Sequence, residues 1–380
     1  MASILNLRYP LPVFRTAREI VNGPQSRFAL KGLRCHRAAL VISPSFKGAS
    51  THDSLVNSIA CDDLLVLEKS WPGEPGLEGL GPDLAKLEAF QPDVIIALGG
   101  GSVLDGAKLL WALYECPESD AETLKRPFSL PPLGGRSRFV AIPTTLGSGS
   151  EVSSAAVILD ESDGRKYPVI THDFLADLVI LDPELVADVP FHALVPTLGD
   201  ALSHAVEGFV SQVNHPLTEP LSATAVRLIA GELDKLEKNR NFQGSIEPLQ
   251  QAALLAGQVQ NHCLTGLSHC IAHQLGSFGV SHSRANTGLM DRGIEIQARD
   301  EEIASRYGKL ANQAGLEPKA EALITLFHRI QALCDRPLDI PGLKPQMDHV
   351  VQGALEDASA RVNPVEITPA LIEEVLSPWL

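Results

Sequence analysis

Short apolar runs rich in β-branched residues recur through the first half of the chain, at residues 38–43, 64–67, 94–98, 139–143, 155–159 and 178–181. Each is bounded by Gly, Pro or Asp, and such runs predict strands of a largely buried parallel sheet. Between the second and third runs, residues 79–90 place Leu80, Leu84 and Leu87 at helical spacing, so the alternation implies βαβ units. Residues 160–164, Asp-Glu-Ser-Asp-Gly, stand between two short apolar runs and predict a hairpin turn. From about Pro196 the period changes. Apolar positions then recur every three or four residues over 201–213, 217–237, 247–265, 268–278, 300–314, 319–334 and 347–360. Thr368-Pro369 supplies an N-cap and first residue for a last helix at 370–376. The pattern predicts an α/β domain over residues 1–190 and an all-α domain over residues 191–380.

Composition narrows the class. At 380 residues the chain exceeds what one compact core usually holds. With 44 % hydrophobic and 20 % charged residues it has material for full cores, against long disorder. A net charge of −15 repels phosphate backbones and excludes a dedicated nucleic-acid binder. No apolar run approaches the roughly 18 residues a membrane span needs. The opening residues Met1 to Arg8 lack the basic and apolar blocks of a signal peptide. Cys35, Cys61, Cys116, Cys263, Cys270 and Cys334 are scattered, with no C-x-x-C pair, and read as reduced thiols of a cytoplasmic protein.

Two segments suit a nucleotide. The strand ending at Leu98 runs into Gly99-Gly100-Gly101-Ser102 and then a helix through Asp105 and Lys108. Glycines let the backbone approach a diphosphate, the helix N-terminus offers unpaired N–H groups, and Ser102 adds a hydroxyl or a cap. The loop is not the G-x-G-x-x-G fingerprint, so a turn that binds nothing stands as the alternative. Pro143-Thr144-Thr145-Leu146-Gly147-Ser148-Gly149-Ser150 follows the next predicted strand. Its hydroxyls and glycines fall at a strand's carboxyl end, where open α/β sheets bind ligands.

The helical half carries acids and imidazoles in pairs. Asp200 and His204 stand at i and i+4, as do His269 and His273, and His282 follows after a short turn. Facing helices that project such groups inward build metal sites in bundles. A capping or salt-bridge role is the alternative for either pair alone.

With these residues in hand, the chain resembles the iron-containing (group III, metal-dependent) alcohol dehydrogenases. The carriers are Gly99–Ser102 with Asp105 and Lys108, Pro143-Thr144-Thr145 with the following Gly-Ser-Gly-Ser-Glu-Val, Asp200 through Glu207, and Gly266 through His273. The resemblance implies an N-terminal dinucleotide-binding domain, an all-α C-terminal domain, and a divalent metal in the cleft between them. It implies the ligands Asp200, His204, His269 and His282. It makes His273 a non-ligand near the nicotinamide and Lys166 a neighbour of the cofactor ribose. Gly100, Gly101, Ser102, Asp105, Thr144, Thr145, Gly147 and Ser148 become the other expected cofactor contacts. The chain departs from the family after His282, where Ser283 and Arg284 stand in place of a glycine, and at Glu74-Pro75, where Asn-Pro is usual.

Three imidazoles and one carboxylate suit Fe²⁺ or Zn²⁺. The expected activity is hydride transfer between NAD(P)H and a small aldehyde or primary alcohol, with His273 relaying a proton. Ser43-Pro44-Ser45 replaces the acid that usually follows the first strand, and Lys47 is near, so NADPH is tolerable. Arg284 is a candidate grip for a substrate carboxylate or phosphonate; pairing with a local acid is its commoner use. A lyase resembling dehydroquinate synthase, using NAD and a metal without net redox, and a binding protein with a vestigial site are the competing readings. The resemblance also implies a homodimer or larger homo-oligomer.

Overall fold

The computed structural model describes residues 13–160 and 166–380. The predicted turn at 160–164, apart from Asp160, and the opening segment through Arg8 lie outside the described residues. The chain forms two compact units, one holding Arg15–Thr145 and Ser150–Asp188, the other Leu146–Gly149 and Val189–Leu380.

The first unit is α/β. Its strands are β1 (Glu19–Asn22), β2 (Arg37–Ile42), β3 (Asp63–Glu68), β4 (Val94–Gly99), β5 (Arg138–Pro143), β6 (Ala155–Leu159), β7 (Lys166–Ile170) and β8 (Leu178–Leu181). Six of them make one parallel sheet in the order β1-β8-β5-β4-β2-β3. β4 is buried at every position, which is why its sequence is a continuous apolar run rather than an alternating one. The helices are α1 (His52–Val56), α2 (Leu77–Phe90), α3 (Gly101–Glu115) and α4 (Ala121–Lys125). Trp111 of α3 stacks on Phe139 of β5 at 5.2 Å, fixing the helix on one sheet face. The other face is covered by Leu30, Phe46, Leu55 and Ile59, packed on Leu40, Ile96 and Ile142.

Two strands differ from the parallel-sheet reading. β6, counted with the parallel strands, pairs antiparallel with β7 as a separate ribbon, Ala155 opposite Ile170, which is the partner that the hairpin turn predicted after it implies. β1, a sheet edge, was not predicted, because three of its four residues face solvent and leave no apolar run.

The second unit is all-α: α5 (Phe191–Val210), α6 (Glu219–Asn239), α7 (Ile246–Cys263), α8 (Leu267–Ala272), α9 (His282–Gln297), α10 (Glu301–Gln313), α11 (Ala320–Leu333), α12 (Met347–Glu356) and α13 (Pro369–Leu376). α5 packs against α6, α7, α9, α10 and α11, so almost every residue from Leu194 onward is buried. It begins ten residues before the predicted 201. The predicted helix at 268–278 divides into α8 and a 3₁₀ segment, His273–Phe278. α13 starts as expected, with the Thr368 hydroxyl accepting the Leu371 N–H. α9 is a helix that the apolar pattern did not reveal. No helix among the described residues is long and apolar enough to cross a membrane.

Candidate functional site

α5 carries Asp200, His204 and Glu207 at i, i+4 and i+7, on one face of a buried helix. Gly199 makes room for that face, since a Cβ there would meet the Thr287 hydroxyl of α9 at 2.1 Å. α8 adds His269, and His282 opens α9. One potential ligand atom from each of Asp200, His204, His269 and His282 lies within 4.8 Å of every other. From Asp200 Oδ1 the imidazole Nε2 atoms stand at 4.0 Å (His204), 3.7 Å (His269) and 3.6 Å (His282). These separations are too long for hydrogen bonds, so the four groups converge on a point rather than on each other.

Two observations fit a metal at that point. The Nε2 atoms of His204 and His269 are buried and have no hydrogen-bond partner, a costly state for polar nitrogens that a cation relieves. Burial drives the pKa of His204 down and that of His269 well down, which favours the neutral form of both imidazoles. Burial works to raise Asp200, but the three imidazoles and the Asn286 amide hold it below its ordinary value. Neutral imidazoles around a carboxylate are the protonation states that a divalent cation requires.

The surrounding side chains orient these four. Glu207 accepts from His269 Nδ1 at 2.5 Å and from the N–H groups of Gly266 (2.8 Å) and Ser268 (2.7 Å). With Nδ1 donating, the lone pair of His269 falls on Nε2, on the Asp200 side. Burial pushes the Glu207 carboxyl up to about 7 against these donors. Asn286 Nδ2 donates to Asp200 Oδ1 at 2.8 Å and lies 3.0 Å from His282 Nε2. Neither Glu207 nor Asn286 was assigned a role from the sequence. A signal existed for each: an acid one turn beyond His204 in an apolar helix, and an amide four residues after His282.

His273 stands apart from the four. Its Nδ1 is 2.7 Å from Asp357 Oδ2, and its ring stacks on His282 with centroids 5.1 Å apart. The His273 side chain is 37 % exposed and that of His282 30 %, whereas His204 and His269 are sealed, so solvent reaches the cluster along this histidine pair.

The first unit contains a cavity of about 500 Å³. Its walls are the segments after β2 (Ser43, Pro44), after β3 (Lys69, Trp71–Gly73) and after β4 (Gly100–Val103). β2 and β4 are neighbours, β3 lies outside β2, and β5 lies beyond β4, so the cavity opens where the strand order reverses, the usual place for a nucleotide. Gly100 caps α3 without a side chain, and a Cβ on it would meet Thr145 Cγ2 at 2.9 Å, so the loop after β5 closes directly on the glycine turn. Ser102 does not cap the helix; its hydroxyl donates to the Gly73 carbonyl and accepts from Lys69 Nζ at 2.8 Å.

The remaining expected residues fall in several places. Thr144 and Thr145 follow the end of β5, the Thr144 N–H bonding the Gly99 carbonyl at 2.9 Å. Gly147 and Ser148 belong to the second unit, with Gly147 against the Thr197 carbonyl. Lys166 pairs with Glu74 at 3.2 Å. Asp105, expected to contact cofactor, is buried away from the cavity walls and holds the Ser150 hydroxyl and the Val157 N–H. Lys108 beside it is fully buried and donates to the carbonyls of Ser150, Ser153 and Ala155 at 2.6, 2.7 and 3.1 Å. Arg284 points at neither an acid nor the cluster; its Nη2 donates to the carbonyls of Arg336 and Pro337. Lys47 is spent on Glu68 at 2.7 Å.

Comparison with known proteins agrees with this geometry. The family model described as iron-containing alcohol dehydrogenase matches residues 18–183, and that for the C-terminal part of the same family matches residues 194–379. An NADPH-dependent butanol dehydrogenase of Clostridium saccharobutylicum is 30 % identical over 380 aligned positions, covering 95 % of each chain. A 1-propanol dehydrogenase of Salmonella typhimurium is 32 % identical over 343 positions, 86 % of this chain and 89 % of that one. Among solved structures, a 1,3-propanediol oxidoreductase superposes with a TM-score of 0.88 at 24 % identity, over 98 % of this chain and 100 % of the other. An iron-containing alcohol dehydrogenase of Thermococcus thioreducens gives 0.85 at 24 % identity, over 97 % and 99 %. The two structures speak for the fold.

Proposed function

The chain belongs to the iron-containing alcohol dehydrogenase family and is a metal-dependent NAD(P)H oxidoreductase of alcohols and aldehydes; from that premise we propose which of its residues carry the reaction. Asp200, His204, His269 and His282 hold one divalent iron or zinc ion. The observation that carries this assignment is the pair of sealed, partnerless Nε2 atoms aimed at the Asp200 carboxylate. When bound, such an ion supplies Lewis acidity toward a substrate oxygen, and the nicotinamide supplies or accepts the hydride.

The chain's own groups do the rest. Glu207 fixes the ring of His269, and Asn286 holds the buried carboxylate of Asp200. His273, held at Nδ1 by Asp357, moves the proton that aldehyde reduction consumes and alcohol oxidation releases, and its exposure gives that proton a path to solvent. Gly100, Gly101 and the N-terminus of α3 receive the diphosphate in the 500 Å³ cavity, with Thr144 and Thr145 beside them. Lys166, anchored by Glu74, serves the ribose. The substrate is a small aldehyde or primary alcohol. Six free cysteines accord with the cytoplasm, and family resemblance alone supports a homodimer or larger assembly.

The test joins metal analysis of anaerobically purified protein to NAD(P)H consumption over a panel of small aldehydes. One metal per chain and net cofactor oxidation are expected, both abolished by Asp200→Ala. An active, metal-free Asp200→Ala variant would refute the ligand set. Product formation with no net change in nicotinamide absorbance would instead favour the lyase.

A further inference from the structure

The loop at residues 146–149 lies against two helices of its own unit. Leu146 donates its N–H to the Thr197 hydroxyl at 3.1 Å, and a Cβ on Gly147 would strike the Thr197 carbonyl at 2.2 Å, so the loop sits on α5 one turn before Asp200. The Gly147 backbone is close enough to the His204 imidazole to oppose the effect of burial on it. Two residues on, Gly149 has φ +63°, and a Cβ there would meet the Gly257 Cα of α7 at 2.4 Å. The loop therefore joins the helix of Asp200 and His204 to α7.

Gln260 stands one turn beyond Gly257, on the stretch of α7 that leads into α8 and His269. Its Oε1 is buried, has no hydrogen-bond partner among the described residues, and lies 3.5 Å from where a Cβ on Gly149 would be. The residue as a whole is only half-buried, so its amide borders open space. A covered amide oxygen without a donor is a costly arrangement that a bound group can relieve. The carboxamide offers both an acceptor and two donors, carries no charge, and presents either end after a half-turn of the side chain. A hydroxyl group, itself donor and acceptor, pairs with either end. An alkyl group leaves the oxygen unpaired, and a carboxylate has no proton to give it.

We propose that Gln260 recognises a hydroxyl group of the substrate, so that the preferred substrate is a short hydroxyaldehyde and its reduction product a diol. The proposal rests on the metal-centred reading of Asp200, His204, His269 and His282. The aldehyde oxygen belongs to that cluster, and the hydroxyl is carried on another carbon of the same short chain. A site that pairs its polar group with one substrate and strands it with another discriminates more sharply than an apolar wall does.

The experiment measures kcat/KM for two isosteric pairs, glycolaldehyde with propanal and 3-hydroxypropanal with butanal. Wild type, Gln260→Leu and Gln260→Glu are compared, with metal content and thermal melting recorded for each. Comparison between proteins cancels the intrinsic reactivity of each aldehyde. In at least one pair the preference for the hydroxylated member should be about 10-fold greater in the wild type than in Gln260→Leu. Gln260→Glu, which keeps an acceptor at the same length, should retain part of that preference. A ratio that Gln260→Leu leaves unchanged, because both members of a pair fall together or neither falls, would overturn the proposal. Loss of metal or of cooperative melting in both variants would also overturn it, by making Gln260 a support of the loop and the cluster. A wild type that oxidises NAD(P)H with none of the four aldehydes would instead overturn the metal-centred reading on which the proposal rests.

Discussion

Glu207 and His269 meet at 2.5 Å through Nδ1, while the opposite nitrogen of the same ring faces Asp200 Oδ1 at 3.7 Å. One carboxylate thus decides the tautomer of an imidazole whose other edge belongs to the metal cluster. Such outer partners are worth roughly 10–100-fold in metal affinity. Glu207→Gln, which keeps the shape and loses the charge, should weaken metal binding by about that factor, read by competition against a chromophoric chelator. Glu207→Ala should do the same and also lower the melting temperature, because the N–H groups of Gly266 and Ser268 at the start of α8 lose their acceptor. Unchanged metal affinity in both variants would make the Glu207–His269 contact a packing detail.

The His273–Asp357 pair gives a pH signature. Burial tends to raise the Asp357 carboxyl, but the His273 charge and hydrogen bond, with the Ser359 N–H, hold it down at about 2, below its ordinary 3.8. A carboxyl depressed by folding contributes stability that is fully present above its unfolded pKa and is lost as pH falls through its folded pKa. The window is therefore from about pH 4 down to about 2. In metal-free protein, the stability difference between wild type and Asp357→Asn should shrink across that window, by about 2 kcal/mol in full. Urea titrations at stepped pH measure it. A difference that stays flat through the window would remove the pair from the stability balance and weaken the case that Asp357 positions His273.

Lys108 joins α3 to the turn that follows the β5 loop. Burial pulls its pKa down to about 8, Asp105 and Glu151 pull it back up, and three carbonyls surround its Nζ. Lys108→Met keeps the volume but strands those carbonyls and leaves two buried carboxyls without their cation. Removing one partner from such a cluster costs about 3–5 kcal/mol. A loss of that size in unfolding free energy is expected, with β6 affected because Asp105 also holds the Val157 N–H. A near-neutral result would show that the carboxyls, whose own pKa values burial raises to about 6 (Asp105) and about 7 (Glu151), are protonated and have no need of the ammonium.

The parallel strands and the amphipathic helices were legible because their buried positions are apolar and their periods differ. β4 shows this best, with six buried residues in an unbroken run. α9 was hidden by its own function: its buried face includes Asn286, Thr287 and Gln297, so the apolar period fails where the helix serves the metal cluster. The apolar run of β6 by itself reads like the parallel strands, and only the hairpin turn predicted after it points to its antiparallel partner, β7. The four expected ligands could be named because Asp200 and His204 share a helix face and the rest came from family resemblance. Their partners depend on which helices approach, as when Gly199 brings α5 onto α9, and no local pattern encodes that.

Arg284 tests the limit of local reasoning. Its position two residues after His282 suggested a grip on an anionic substrate, yet its guanidinium already donates to the carbonyls of Arg336 and Pro337, the second at 2.9 Å. These bonds tie the first turn of α9 to the segment after α11, so the side chain acts on the position of His282 and not on the substrate's charge. Arg284→Ala should accordingly lower kcat/KM by the same factor for neutral and carboxylate-bearing aldehydes of similar size, with some loss of thermal stability. Parallel measurement on matched pairs of aldehydes decides the matter. A selective loss toward the anionic member of each pair would mean that the guanidinium leaves those carbonyls when substrate binds, and would restore the anion grip.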